Sequence, residues 1–188
     1  MQIFVIVGPS GSGKTTLARK VAEIDNDLLL AISETTRPRR NGDRDGVDYY
    51  FNPSRELFRR KVKAGKFLEW ADVYGHLYGT LASEVARAML SQRDLLLEID
   101  FKGMCQVKEK HPDALTIFVH PPSVEALPER LRYRNRGETE QETALRLAAA
   151  PIEIARASQF DHQIVNDDAE VAVKKILDIV RQARAAVV

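Results

Sequence analysis

IFVIVGPSGSGKTTLARKVAEI, residues Ile3 to Ile24, carries the strongest architectural signal in the sequence. Its first five residues are apolar throughout, which is the pattern of a short strand buried on both faces. GPSGSGKT, from Gly8 to Thr15, matches G-x-x-x-x-G-K-[ST], and TTLARKVAEI then takes up a helical period. A buried strand, a glycine-rich turn and a helix in this order make a cradle for phosphate. The glycines let backbone N–H groups turn inward, and the helix adds the positive end of its dipole. Lys14 is placed to reach the β- and γ-phosphates, and the Thr15 hydroxyl to join a Mg²⁺ shell completed by waters. Gly8, Ser10, Gly11, Ser12, Gly13, Lys14, Thr15 and Thr16 are the residues expected around the phosphates. The stretch marks a nucleoside triphosphate site.

Outward from this stretch, short apolar runs alternate with segments of helical period. Leu28 to Ile32, Leu95 to Asp100, Leu115 to Val119 and Gln163 to Val165 have strand length. Ser54 to Ala64 has helical spacing, with Phe58 and Val62 four apart and Gly65 as its stop. Leu81, Val85 and Met89 form a second helical stripe, and DDAEVAVKKILDIVRQARAAV closes the chain as a capped amphipathic helix. Strands apolar throughout and separated by helices predict an α/β fold with a parallel sheet covered on both faces. RLRYRNRGETEQETALR, from Arg130 to Arg146, is too charged for a core; composition leaves it either a solvated helical hairpin or a cover over a site.

A chain of 188 residues is expected to form one domain with a full core. Lys plus Arg, 28, nearly balance Asp plus Glu, 27, leaving a net charge of +1. That balance disfavours nucleic-acid binding, whose footprint usually shows in the total charge. The one cysteine, Cys105, has no partner for an internal disulfide. The N-terminus lacks a signal-peptide pattern, and no run reaches the roughly 18 apolar residues of a membrane helix. A cytoplasmic protein with no membrane segment is expected.

Against that balanced charge, SETTRPRRNGDRDGVDYYF (Ser33 to Phe51) concentrates Arg37, Arg39, Arg40 and Arg44 ahead of two tyrosines. Without interleaved stacking aromatics it lacks the pattern of a single-strand nucleic-acid arm. With a triphosphate cradle nearby, a pocket for one phosphate is the better reading.

This stretch, followed in order by FLEWA, GHLYGT, LLLEIDFKG, PPS and IVNDD, resembles the guanylate kinase family over nearly the whole chain. The resemblance implies ATP-dependent phosphorylation of GMP, and of dGMP, with Mg²⁺ as cofactor and nucleotides as partners. It implies a P-loop NTPase-like core with a five-stranded parallel sheet between helices, plus GMP-binding and lid subdomains. Their approximate limits are residues 1–32, 91–127 and 155–188 for the core, 33–90 for the GMP-binding region and 128–154 for the lid. Arg37 and Arg40 match the family's phosphate-binding arginines, and Tyr49 and Tyr78 its phosphate-contacting tyrosines. Guanidinium forks suit phosphate oxygens, and phenols add donors. Arg39 and Arg44 have no such match and are expected in solvent.

Guanine presents N1–H and N2–H donors where adenine offers an acceptor, and an ionised carboxylate only accepts. Glu69 matches the family's guanine-binding glutamate, Asp100 its second acid, and Ser33 and Thr80 its hydroxyl positions around the base. Asn166 resembles the adenine-side contact. Arg146 is the lid arginine with the firmer match, while Arg134 and Arg136 compete for a second place. The acceptor phosphate oxygen is already anionic, so no general base is required, and His76, His111, His120 and His162 are unassigned.

The sequence departs from the family pattern at Gly42-Asp43, where Gly-Glu is usual, and at His76 and Leu77, where Asn and Tyr are usual. Lys102 replaces a typical glutamine and stands close enough in sequence to pair with Asp100. Pro128 and Pro151 are expected to kink helices on either side of the polar hairpin, either as its hinges or as tolerated kinks without motion. Two other functions share this scaffold: a ribosyl bisphosphate phosphokinase and a non-catalytic interaction module. The first has no need of guanine-reading acids, and the second loses the phosphate loop.

Overall fold

The structure is a computed structural model that describes residues 1–134 and 139–186. Its elements begin with β1 (Ile3–Val7), α1 (Lys14–Ile24), β2 (Leu28–Leu30), β3 (Ser33–Thr35) and β4 (Tyr50–Phe51). α2 (Arg55–Lys63), β5 (Phe67–Val73), β6 (His76–Leu81), α3 (Ala82–Leu90) and β7 (Asp94–Glu98) follow. Then come α4 (Phe101–Lys110), β8 (Leu115–His120), α5 (Leu127–Arg134), α6 (Glu140–Ala155), β9 (His162–Val165) and α7 (Ala169–Ala185).

Five strands form one sheet in the order β2-β7-β1-β8-β9, with every pairing parallel. Side chains alternate across it as the two-residue strand period requires. Ile3, Val5 and Val7 join Leu95, Leu97 and Phe118 on one face, covered by Met104 and Val107 of α4. Phe4 and Ile6 join Leu96, Ile117 and Val119 on the other, covered by α1 and α7. The expected sheet is therefore present, with a packed core on each side.

A second sheet, of four strands in the order β4-β3-β6-β5, did not announce itself in the sequence. It is mixed, with β3 parallel to β4 and antiparallel to β6. Strands β5 and β6 form a hairpin closed by Tyr74 and Gly75, at φ 51° and 81°. Two successive positive φ values suit the twist of a tight hairpin. Phe58 of α2 stacks on Phe67 at 4.4 Å beneath this sheet. Ser54 caps α2 by accepting from Leu57 N–H at 3.1 Å, and Gly65, at φ 64°, ends it as expected.

Two helix expectations need correction. Leu81 ends β6, so the stripe that seemed to link it with Val85 and Met89 is not one helix face. α3 starts at Ala82, buries Ala88 and leaves Met89 62% exposed. Pro128 is the second residue of α5, in a first turn whose N–H groups have no intrahelical partner anyway, so it costs no bond there. Of the two prolines, Pro151 alone stands in a helix interior, within α6.

Among the described residues no helix is long and apolar enough to cross a membrane. α7 packs on α1, the helix that follows the phosphate loop, and starts at a strong cap. The Asp168 carboxylate accepts from Glu170 N–H at 2.8 Å and Val171 N–H at 3.0 Å. Asp168→Ala is expected to lower stability by about 1 kcal/mol in urea unfolding; no change would mean the cap is replaced by water at no cost.

Candidate active site

The glycine-rich turn sits at the C-terminal edge of β1, between the parallel sheet and α1. Gly13 takes a left-handed φ of 88° just ahead of the helix, and a Cβ there would overlap Asn166 Nδ2. Asn166 Nδ2 donates to Ser12 O at 2.6 Å, and Arg130 donates to Asn166 O at 3.1 Å. Asn166 thus buttresses the loop from behind and is not on the wall of the adjoining cleft. Ile6 of β1 pairs with Glu98 of β7, so that acid emerges beside the loop. Thr15 Oγ1 donates to Glu98 Oε2 at 3.1 Å, and Lys14 Nζ lies 3.7 Å from Glu98 Oε1. Glu98 was missed in the sequence. Its only signal was a carboxylate ending a buried strand.

A cleft, about 1090 Å³ with its open mouth included, runs from this loop to the second sheet. Gly8, Ser10, Lys14 and Thr15 line one end; Ser33, Arg37, Arg40, Tyr49, Glu69 and Tyr78 line the other, with Asp100 and Arg146 between. Gly11, Ser12, Gly13, Thr16 and Thr80 are not lining residues.

Arg37 is 5% exposed. Its Nη2 donates to Asp43 Oδ2 at 2.8 Å, and its guanidinium lies 5.4 Å from the Tyr49 ring centroid. Burial works against its charge, but Asp43 and the two tyrosines outweigh that and hold its pKa above the ordinary value. The same Asp43 oxygen accepts Arg40 N–H at 2.8 Å, so this aspartate orders both arginines. Tyr49 and Tyr78 meet edge to face at 5.9 Å. Arg39 and Arg44 are exposed, as expected, but each holds an acid: Asp45 at 2.9 Å and Asp48 at 3.5 Å.

From the polar segment, α6 reaches both ends of the cleft. Thr139 and Glu142 form a reciprocal capping box that starts it. Arg146 Nη1 donates to Ser10 Oγ at 3.0 Å, and its guanidinium lies 5.2 Å from the Tyr74 ring centroid. Glu142 Oε1 lies 3.6 Å from Arg40 Nη2. The side chain of Arg134, at the end of α5, and the whole of Arg136 lie outside the described residues.

Glu69, on β5, is 3% exposed and accepts from Thr80 N–H on β6 at 2.7 Å. Ser33 and Thr80 hydroxyl oxygens are 3.4 Å apart beside it. Asp100 caps α4 by accepting from Gly103 N–H at 2.8 Å. A Cβ on Gly103 would overlap Glu69 Oε2 and crowd Asp100 Oδ1. The glycine of EIDFKG is therefore the space in which two acids from different sheets converge. Lys102 is exposed and, among the described residues, forms no ion pair with Asp100. Burial raises the Asp100 carboxyl above its ordinary value. Burial also raises Glu69, from 4.5 to about 7, against the pull of its bonds to Thr80. A folded-state pKa above the unfolded one means stability present below pH 4.5 and lost as pH rises through about 7. Glu69→Gln, which has no such proton, should gain on the wild type in urea unfolding between pH 5 and pH 8. A pH-independent difference would contradict the buried, raised carboxyl.

Comparison with known proteins agrees with this geometry. The guanylate kinase family model matches residues 1–183. A guanylate kinase of Thermotoga maritima is 42% identical over 186 residues, covering 99% of this chain and 89% of the relative. One from Coxiella burnetii is 44% identical over 185 residues, covering 97% and 87%. The crystal structure of a guanylate kinase from Anaplasma phagocytophilum superposes with a TM-score of 0.79 at 32% identity, over 96% of this chain and 85% of that one. The chain belongs to the guanylate kinase family.

Proposed function

We propose that this protein transfers the γ-phosphoryl group of ATP to a phosphate oxygen of GMP, giving ADP and GDP, and that it accepts dGMP as well. The observation that carries the reading is one cleft with a triphosphate loop at one end and a buried, guanine-matched carboxylate at the other. In the reaction an acceptor phosphate oxygen bonds to the γ-phosphorus as the bond to the β,γ-bridging oxygen breaks. The electron pair leaves with ADP. No protein group has to remove a proton, because the acceptor oxygen is anionic already; catalysis rests on alignment and charge.

Lys14 and the loop N–H groups hold the donor phosphates. Arg37 and Arg40, with the Tyr49 and Tyr78 phenols, hold the acceptor phosphate in a bidentate grip. Ionised Glu69 accepts from guanine N1–H and N2–H, with Asp100 and Ser33 bordering the base and Thr80 holding the Glu69 carboxylate from behind. Arg146 extends from the lid to the donor end and offsets charge on the transferring group. Arg134 and Arg136 are candidates for the same task. Asn166 is assigned to the ATP side through its hold on the loop.

Mg²⁺ fits the residues present. The Thr15 hydroxyl and the Glu98 carboxylate lie side by side at the loop, as oxygen donors that suit a hard cation also held by phosphates and waters. Held there, Mg²⁺ would supply positive charge to offset that of the phosphates. The arginine-rich loop serves one phosphate rather than a nucleic acid. Residues 33–90 act as the GMP-binding unit and 128–154 as the lid on a core made of the rest.

The test is ADP production from ATP and Mg²⁺ with GMP, dGMP, AMP, CMP or UMP. Turnover is expected with the guanine nucleotides; none with either would overturn the reading. Glu69→Gln should lower the GMP-to-AMP ratio of kcat/KM by roughly 10²-fold or more, because an amide cannot accept from both guanine donors with both its groups. An unchanged ratio would remove Glu69 as the base reader.

A further inference from the structure

Besides Asp43, the loop between β3 and β4 holds a largely buried carboxylate that the proposed reaction does not use. Asp48 lies in an exposed segment, yet its side chain is only 6% exposed. It accepts Arg44 N–H at 2.6 Å, which closes a turn within the loop. It also accepts from Arg19 Nη2 at 2.5 Å. Arg19 stands on α1, five residues after Lys14 and on the same rigid helix. Asp48 immediately precedes Tyr49, whose ring carries the Arg37 guanidinium. One ion pair therefore joins the helix that starts at the triphosphate loop to the loop that receives the acceptor phosphate.

We propose that Arg19 is a positioning residue for phosphoryl transfer: through Asp48 it fixes the distance between the two phosphate receptors. The inference rests on the proposed reaction. With both nucleotides bound, two clusters of negative charge face each other across the cleft and push the arginine loop away from α1. A tie between the two elements resists that push directly, and Arg19–Asp48 is such a tie. Misplacement by about 1 Å can cost on the order of 10²-fold in rate. A purely structural role makes a different forecast. The turn of the loop is held by Arg44 N–H, and Asp43 orders Arg37 and Arg40, so both outlast the loss of Arg19.

The experiment compares wild type, Arg19→Met and Arg19→Lys. It reads the single-turnover rate of phosphoryl transfer at saturating ATP, Mg²⁺ and GMP, the Kd of GMP measured without ATP, and Tm. Arg19→Met should slow transfer by about 10-fold while the Kd of GMP stays within about 3-fold and Tm within a few degrees. Arg19→Lys, which keeps a charge on a flexible stem, should recover most of the rate. An unchanged transfer rate in Arg19→Met, a loss matched by GMP affinity or by Tm, or no recovery with lysine would each overturn the proposal. Failure of the wild type to use GMP would instead overturn the underlying reading.

Discussion

Two phosphate-bearing molecules repel one another, and everything about the cleft answers that constraint. At 4 Å, even in an environment of intermediate dielectric, one pair of unit charges opposes contact by about 4 kcal/mol. The positive groups that offset this stand on separate supports. Lys14 heads α1 beside the parallel sheet, Arg37 and Arg40 follow the short strand β3 of the second sheet, and Arg146 comes from α6. Each is restrained by an acid or a polar partner, namely Glu98, Asp43, Glu142 or Ser10. The cations are thus set in place before any ligand arrives, which reduces the ordering that binding would otherwise demand.

Selection of the base carries its own cost. A carboxylate nine-tenths or more removed from water resists ionisation, and Glu69 ionises only near pH 7. The protein tolerates this because Thr80 N–H partly compensates the charge and guanine would complete it. Gly103 contributes by what it lacks. Any side chain there would fill the gap into which Glu69 and Asp100 both extend. Strain against stability at such a point is common in sites whose ligand supplies the missing partner.

What could be read from the sequence was local or periodic. The phosphate loop is eight consecutive residues between a buried strand and a helix, and the parallel strands are continuous apolar runs. Both signals survive without knowledge of the fold. The second sheet was hidden because β3 and β4 have three and two residues and carry Ser33, Glu34 and Tyr50 rather than an apolar run. Glu98 was hidden because its role depends on the order β7-β1, a neighbour relation between segments about ninety positions apart. The Gly103–Glu69 approach and the Arg19–Asp48 tie are likewise contacts between distant segments. Pro128 was misplaced because α5 starts only at Leu127, which turns a supposed kink into an ordinary first-turn proline. The resemblance to the guanylate kinase family supplied Glu69 and the tyrosines, which no periodicity singles out.

Donor and acceptor are expected to occupy one continuous cleft at reacting distance. A molecule in which adenosine and guanosine are joined through five phosphates tests it by titration calorimetry. Linking the two ligands turns the second binding event into an intramolecular one, so the linked molecule should bind at least about 10²-fold more tightly than ATP or GMP alone. It should also exclude both. Affinity no greater than that of ATP, with GMP still able to bind beside it, would contradict a single shared cleft.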